Sequence, residues 1–469
     1  MVPPMTGEGP EGFDRPGGAD GAASAPTARD AALEAVRRAD RGAGFLREEL
    51  HAVFDRLSLA PRDRALAMQL AAGVLRHRRT LRLVLSRVRG AAGRATSIQP
   101  ALLGILELGA FQLLFLDRVP AYAAVNEAVE AARRTSRRPG GAKVAGFVNG
   151  VLRGVGRLIV GRDAAGRLAR DALPHPEGGV VRLREPLLPD PKESFAAFLG
   201  AAYSYPDWLV ARWLDAFGEA AEDVCRWGNR RPRLFARVKK VSDIVSALPP
   251  GPRPGSFDVS DLDLERLEAL LAAGTLTIQD PSAMAAALVL APAPGETVLD
   301  LCASPGTKTT QIAEMMDDGG RVVACDRTEE KLAPIRRALA ARGLASVAVC
   351  LPADLSAAAP PGGFDAALVD VPCSNTGVLA RRPDVRWRLR PDDLAELPRV
   401  QAQLLAQAAA LVRPGGRIVY STCSLQNEEN EAVVRAFLKA NADWRLDRQE
   451  LILPGADHDG AFWARLRRA

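Results

Sequence analysis

The stretch 297–308, Thr-Val-Leu-Asp-Leu-Cys-Ala-Ser-Pro-Gly-Thr-Lys, constrains this chain more than any other. Val298, Leu299 and Leu301 form a short apolar run around Asp300, the pattern of a buried strand. Ser304-Pro305-Gly306 turns the chain, and residues 309–316 read as a helix. Strand, small-residue turn and helix together open a nucleotide-type α/β sheet. Ligands of such sheets sit beyond the carboxyl ends of the strands, where free N–H groups at the helix start attract an anion. Two phosphate-binding readings fail. A P-loop needs Gly before its Lys-Ser/Thr pair, and Thr307 precedes Lys308 and Thr309. The dinucleotide fingerprint needs three spaced glycines, and only Gly306 is present.

The residues downstream favour a different nucleoside. Residues 321–326, Arg-Val-Val-Ala-Cys-Asp, read as a second strand ending in Asp326, a carboxylate suited to two ribose hydroxyls. Asp354 follows a third strand (347–351), and Asp370 ends a fourth (366–369). Any one of these is an ordinary strand-end residue capping a helix. The ordered set beside this turn resembles an S-adenosylmethionine site.

With 469 residues the chain has room for two or three domains, and 48% hydrophobic residues are ample for packed cores. No apolar run approaches the ~20 residues of a membrane span. A net charge of +6 and a pI near 9.2 suit an acidic partner such as RNA. Cys225, Cys302, Cys325, Cys350, Cys373 and Cys423 contain no C-x-x-C, and the four histidines are scattered. This spacing predicts neither a metal site nor a disulfide framework, and suits a cytoplasmic chain with free thiols.

In chain order, residues 1–27 are Gly/Pro/Ala-rich and acidic, with no signal-peptide core, and read as a disordered tail. From 28 to 162 the apolar spacing is helical, with Pro61, Pro100 and Pro120 at helix starts. One stripe runs through Met68, Val74 and Leu75, and the next through Leu81, Val84, Leu85 and Val88. The segments 119–129 and 146–152 resemble the NusB-like fold, which implies a separable RNA-binding module. Its basic run, Arg133, Arg134, Arg137 and Arg138, is a candidate phosphate contact or a solvated loop. Residues 163–190 are Gly/Pro/Arg-rich and read as a linker, and 191–275 as a small α+β segment. The α/β catalytic domain covers 276–469.

Two thiols complete the ligand edge. Residues 369–377, Val-Asp-Val-Pro-Cys-Ser-Asn-Thr-Gly, carry Asp370 and Cys373 beyond the fourth strand. Residues 417–425, Arg-Ile-Val-Tyr-Ser-Thr-Cys-Ser-Leu, deliver Cys423 to the same edge. One Cys there is more often a small core residue than a nucleophile; two beside a cofactor site point to chemistry. With these motifs the chain resembles the RsmB/Sun family of 16S ribosomal RNA cytosine-C5 methyltransferases, within the Nol1/Nop2/Sun group. The likeness covers nearly the whole chain. It implies three parts: an all-α NusB-like N-terminal domain, a small α+β segment and a C-terminal α/β Rossmann-like class I methyltransferase domain. Residues 381–387, Arg-Arg-Pro-Asp-Val-Arg-Trp, match a further family segment near the RNA. Ser304 and Thr307 stand where Ala and Gly are commoner, so the loop must avoid a positive φ at Thr307.

The resemblance assigns roles. Cys423 is the nucleophile that adds to C6 of cytosine, Cys373 assists product release, and Asp370 contacts the cytosine edge near N3. The loop Cys302, Ala303, Ser304, Pro305, Gly306, Thr307 and Lys308 cradles the methionine part of S-adenosyl-L-methionine, with Asp370 at its edge. Asp326 and Asp354 hold ribose and adenine. The implied partner is 16S ribosomal RNA, bound by a monomer without a membrane. Three rivals stand beside this reading. The first is the same chemistry on transfer RNA or another ribosomal site. The second is a small-molecule methyltransferase, and the third a non-enzymatic RNA-binding or antitermination factor. The last leaves both thiols without a purpose.

Overall fold

A computed structural model describes residues 26–42, 44–90, 98–135, 141–238 and 247–469. Residues 1–25 of the expected tail, and Arg137 and Arg138 of the basic run, lie outside the described residues.

Six helices open the chain: α1 (Ala28–Asp40), α2 (Leu46–Leu57), α3 (Pro61–Arg89), α4 (Pro100–Phe115), α5 (Ala121–Thr135) and α6 (Gly141–Leu158). Thr27 caps α1, accepting from the Asp30 N–H while the Asp30 carboxylate returns to the Thr27 N–H. Pro61 and Pro100 stand at the first helical positions of α3 and α4, where no N–H is needed. The two apolar stripes at 68–75 and 81–88 belong to one 29-residue helix, α3.

The stretch 163–190, expected to be a linker, is instead folded. Strands β1 (Ile159–Asp163), β2 (Ala172–Pro174) and β3 (Val180–Leu183) pair antiparallel in the order β1-β3-β2. Three helices follow, α7 (Phe195–Tyr203), α8 (Asp207–Phe217) and α9 (Ala220–Asn229). They were expected to belong to the pre-catalytic segment, but they share one continuous apolar core with α1–α6. Thr80 Oγ1 on α3 donates to Ala201 O on α7 at 2.7 Å. Only the second half of the expected α+β segment stands apart, as a sheet in which β4 (Phe235–Val238) and β5 (Ser256–Asp258) are completed by β6 (Leu276–Ile278), the first residues of the stretch expected to be catalytic domain.

The catalytic region is a seven-stranded sheet of β7 (Thr297–Leu301), β8 (Arg321–Cys325), β9 (Val347–Cys350), β10 (Phe364–Asp370), β11 (Val412–Thr422), β12 (Trp444–Ile452) and β13 (Ala461–Arg468). The order is β12-β13-β11-β10-β7-β8-β9, with β7 to β11 parallel and β13 antiparallel to β11. This is the expected Rossmann-like class I architecture. The chain reverses direction across the sheet at β7, between β8 and β10, so a ligand crevice opens beyond the carboxyl ends of these strands. No helix among the described residues is long and apolar enough to cross a membrane.

Candidate active site

β7 delivers the turn. Cys302 takes φ +68° and Gly306 φ +100°, and the helix Thr307–Met315 starts directly after. Thr307 is thereby spared a positive φ, as its Cβ requires; the strained non-glycine position is Cys302. A Cβ on Gly306 would lie 3.2 Å from Ile335 Cα, so both conformation and space call for glycine. Burial, then the nearby Asp326, Asp370 and Asp300 carboxylates, push the Cys302 thiol up to about 12, which leaves it unreactive. Asp300, buried beneath the turn, accepts from Thr309 Oγ1 at 2.6 Å, and burial pushes it up to about 7.

Asp326 follows β8 and is buried. Its carboxylate accepts from Ser304 N–H (3.0 Å) and Arg327 N–H (2.8 Å), with Lys331 Nζ 3.4 Å away. It therefore also holds the 302–306 turn in place. Asp354 ends a short 3-10 turn (Pro352–Asp354) and is exposed at the rim. Asp370 ends β10 and accepts from Lys308 Nζ (2.6 Å) and Ser421 Oγ (2.7 Å).

The two thiols meet. Cys373 Sγ and Cys423 Sγ are 3.1 Å apart, although 50 residues separate them in sequence. The hydrogen bond to Cys423, then burial, hold Cys373 far above the ordinary thiol range, so it keeps its proton and can donate it. Lys308 is only half-buried; burial would lower its pKa, but Asp370 first and Cys423 in addition raise it, so it is a full cation paired with Asp370.

Three comparisons bear on this site. The family described as 16S rRNA methyltransferase RsmB/F matches residues 287–461, and the NusB family matches residues 26–157. "Probable ribosomal RNA small subunit methyltransferase B" of Synechocystis sp. is 34% identical, covering 94% of this chain and all of that protein. The chain belongs to this methyltransferase family. Its relative "Ribosomal RNA small subunit methyltransferase B" of Salmonella typhi is 32% identical over 87% of this chain and 91% of its own length. The crystal structure of PH0851 shares the fold, with a TM-score of 0.71 over 94% of this chain and 99% of its own, at 22% identity.

Sequence reasoning missed the frame around the thiols. Glu429 is fully buried and accepts from Ser374 N–H (2.8 Å), Ser374 Oγ (2.5 Å), Gln401 Nε2 (3.0 Å) and Ser424 Oγ. One carboxylate thus ties the residue after Cys373 to the residue after Cys423. Asn375, in a left-handed conformation, donates from Nδ2 to Cys373 O (2.7 Å) and offers Oδ1 to Cys423 Sγ (3.2 Å) and Arg382 (3.2 Å). The signal was the density of small hydroxyl and amide residues flanking both cysteines. The segment 381–387, expected near the RNA, turns mostly inward: Arg386 is fully buried and Trp387 Nε1 donates to Leu75 O at 2.7 Å. Of the basic run, Arg133 pairs with Glu130 and Arg134 with Asp30.

Proposed function

We propose that this chain methylates C5 of a cytosine in 16S ribosomal RNA, with S-adenosylmethionine as donor and Cys423 as a transient covalent nucleophile. The observation that carries the reading is the pair of thiols 3.1 Å apart beside the Lys308–Asp370 ion pair.

The residues present fit the donor. Asp326 is a buried carboxylate with lone pairs left over for ribose hydroxyls, and the turn around Gly306 brings bare backbone to the crevice. When bound, S-adenosylmethionine supplies an electrophilic methyl group. C5 of cytosine is a poor nucleophile on its own. The Cys423 thiolate adds to C6, the C5=C6 π pair moves to C5, and C5 takes the methyl. Asp370 lies at the N3 edge, where its carboxylate accepts from the proton that N3 takes up as the ring gains charge. A water takes the C5 proton, the C5–H pair re-forms C5=C6, and the C6–S pair leaves with Cys423 as thiolate. The Cys373 S–H, donating to that sulfur, makes it the better leaving group.

Incubation with labelled donor and total cellular RNA, followed by mapping of the labelled nucleotide, tests this reading. Label on a cytosine C5 of 16S RNA supports it; label on transfer RNA or on no RNA defeats it. The donor site makes its own prediction. Asp326→Ala removes charge-assisted hydrogen bonds worth roughly 1.5–3 kcal/mol each, so the Kd for S-adenosylmethionine should rise by about 10- to 150-fold for every bond lost, by calorimetry. An unchanged affinity would take Asp326 out of the site.

A further inference from the structure

A cleft of about 200 Å³ opens beside the catalytic loop, where four parts of the chain converge. Its walls are the β2–β3 turn at Pro176 and Glu177, the residues ending and following α9, the 377–381 segment, and the β12–β13 loop. Its floor is Gly377, whose N–H donates to Cys423 O (2.9 Å) and whose carbonyl accepts from Gly460 N–H (2.8 Å). A Cβ there would lie 2.4 Å from Gly460 O, so only glycine lets these three backbones stack. Because β13 runs antiparallel to β11 and pairs Phe462 with Thr422, the β12–β13 loop lies at the same sheet edge as Cys423. The cleft is thus separated from the nucleophile by one strand of backbone.

Its charges are unequally used. Arg233 pairs with Asp258 and Asp457, and Arg381 with Asp280 and Asp459. Arg230 and Arg231 have no carboxylate within ion-pair distance among the described residues; Glu177 is the remaining acid of the lining. The Arg230 guanidinium instead lies over the Trp227 ring, 4.6 Å from its centroid. Arg231 is exposed. Behind them sits Arg76, a buried cation with no ion pair among the described residues, donating to Ala380 O at 2.6 Å. Burial first, then Arg386 and Arg231, bring Arg76 down to about 10, so it remains charged at neutral pH.

We propose that this cleft holds the nucleotide next to the target cytosine in a single-stranded RNA, an inference that rests on the function proposed above. The flanking base stacks on the open face of the Arg230–Trp227 pair, and Arg231 contacts its phosphate. Single-stranded RNA is held in this way, by planar guanidinium and aromatic surfaces with cations along the backbone. The volume is several times the ~30 Å³ share of one water, enough for one base edge and too little for a paired duplex. Holding the neighbour also meets part of the cost of lifting the target base out of its stack.

The test uses the full chain and a 16S RNA transcript. Arg231→Ala should raise KM for RNA with kcat little changed, and flatten the plot of log KM against log salt by about 0.7, one single-strand phosphate contact. Trp227→Ala should raise KM about 10- to 100-fold without changing that slope. Both variants should bind S-adenosylmethionine as the parent does. Since Trp227 is half-buried and its variant can fail to fold, a second measurement uses the unaltered protein. Transcripts with 4-thiouridine beside the target should photocrosslink to residues 227–233. Unchanged KM and slope for Arg231→Ala, or crosslinks that avoid 227–233, overturn the cleft while leaving the methyltransferase reading intact. A parent chain that transfers no methyl group to RNA overturns that reading and the cleft with it.

Discussion

Cys373→Ala should accumulate an RNA–protein adduct that survives denaturation, and Cys423→Ala should form none and lose methylation to background. The two sulfurs are close enough for either to be the nucleophile, and Pro372-Cys373 has the Pro-Cys form used by DNA cytosine-C5 methyltransferases. Electrostatics separates them. Cys373 keeps its proton because it is hydrogen-bonded to Cys423 and buried, and a protonated thiol is a donor rather than a nucleophile. Cys423 has that donor beside it, 3.1 Å away, and is the sulfur left to attack. With Cys373 gone, attack and methyl transfer proceed, but the sulfur leaving C6 loses its hydrogen-bond donor. The adduct then persists. A loop substrate should be used, because the target base leaves its stack more cheaply there. Denaturing electrophoresis after incubation with donor and labelled RNA reads the result. An adduct in Cys423→Ala and none in Cys373→Ala would exchange the two roles.

The catalytic sheet was legible in the sequence because its strands are buried on both faces. Val298–Leu301, Val322–Cys325 and Ala366–Val369 therefore read as apolar runs that end at carboxylates and thiols. What lay hidden depends on contacts distant in sequence. Strands of three and four residues such as β2 and β3 carry too few side chains for a pattern. Backbone pairing holds them, for example Leu183 N–H to Asp171 O at 2.7 Å, and so a Gly/Pro-rich stretch looked like a linker. Nothing in α7–α9 taken alone says that Leu199, Leu209 and Trp213 pack into the core of the first six helices. Glu429 looked like one more acid in Asn427-Glu428-Glu429-Asn430, yet it is the residue that ties the two cysteine loops together. The sequence motif showed which residues meet at the site; the polar frame that makes them meet is tertiary.

The same distinction governs the helical domain, which the sequence suggested could be removed while sparing the donor site. Arg386 argues against that. Its guanidinium is fully buried, lies 4.0 Å from the Tyr205 ring centroid, and has no carboxylate partner among the described residues. It donates instead to Asn229 Oδ1 (2.8 Å), Gly228 O (3.0 Å), Arg76 O (3.0 Å), Ser204 O (3.2 Å) and Tyr205 OH (3.2 Å). These acceptors belong to α3, α9 and the α7–α8 turn, whereas Arg386 belongs to the segment that continues from the Cys373 loop. Nearby, Leu46 N–H donates to Asp384 Oδ2 (3.0 Å), and Leu379, Val385 and Leu425 enter the helical core. Arg386→Ala would take the donor from buried acceptors such as Asn229 Oδ1 and Gly228 O, each costing about 1–3 kcal/mol if fully unsatisfied, while Arg76 O keeps its place inside α3 and Tyr205 OH still donates to Cys225 O. Allowing for relaxation and entering water, a loss of about 3–5 kcal/mol is expected, the usual scale for breaking a buried charged network. Arg386→Met should do little better. It restores volume, but unlike the replacement of an ion pair it still leaves the acceptors bare. Calorimetric unfolding should show one cooperative transition in the parent and, because so long a chain melting as one unit has a large unfolding entropy, a Tm lower by roughly 3–5 °C in both variants. Deleting residues 28–160 should likewise damage donor binding, because it strips the acceptors and the apolar core from the segment next to Cys373. If Arg386→Ala melts with the parent, or the deletion binds S-adenosylmethionine normally, the helical domain is the detachable module that the sequence suggested.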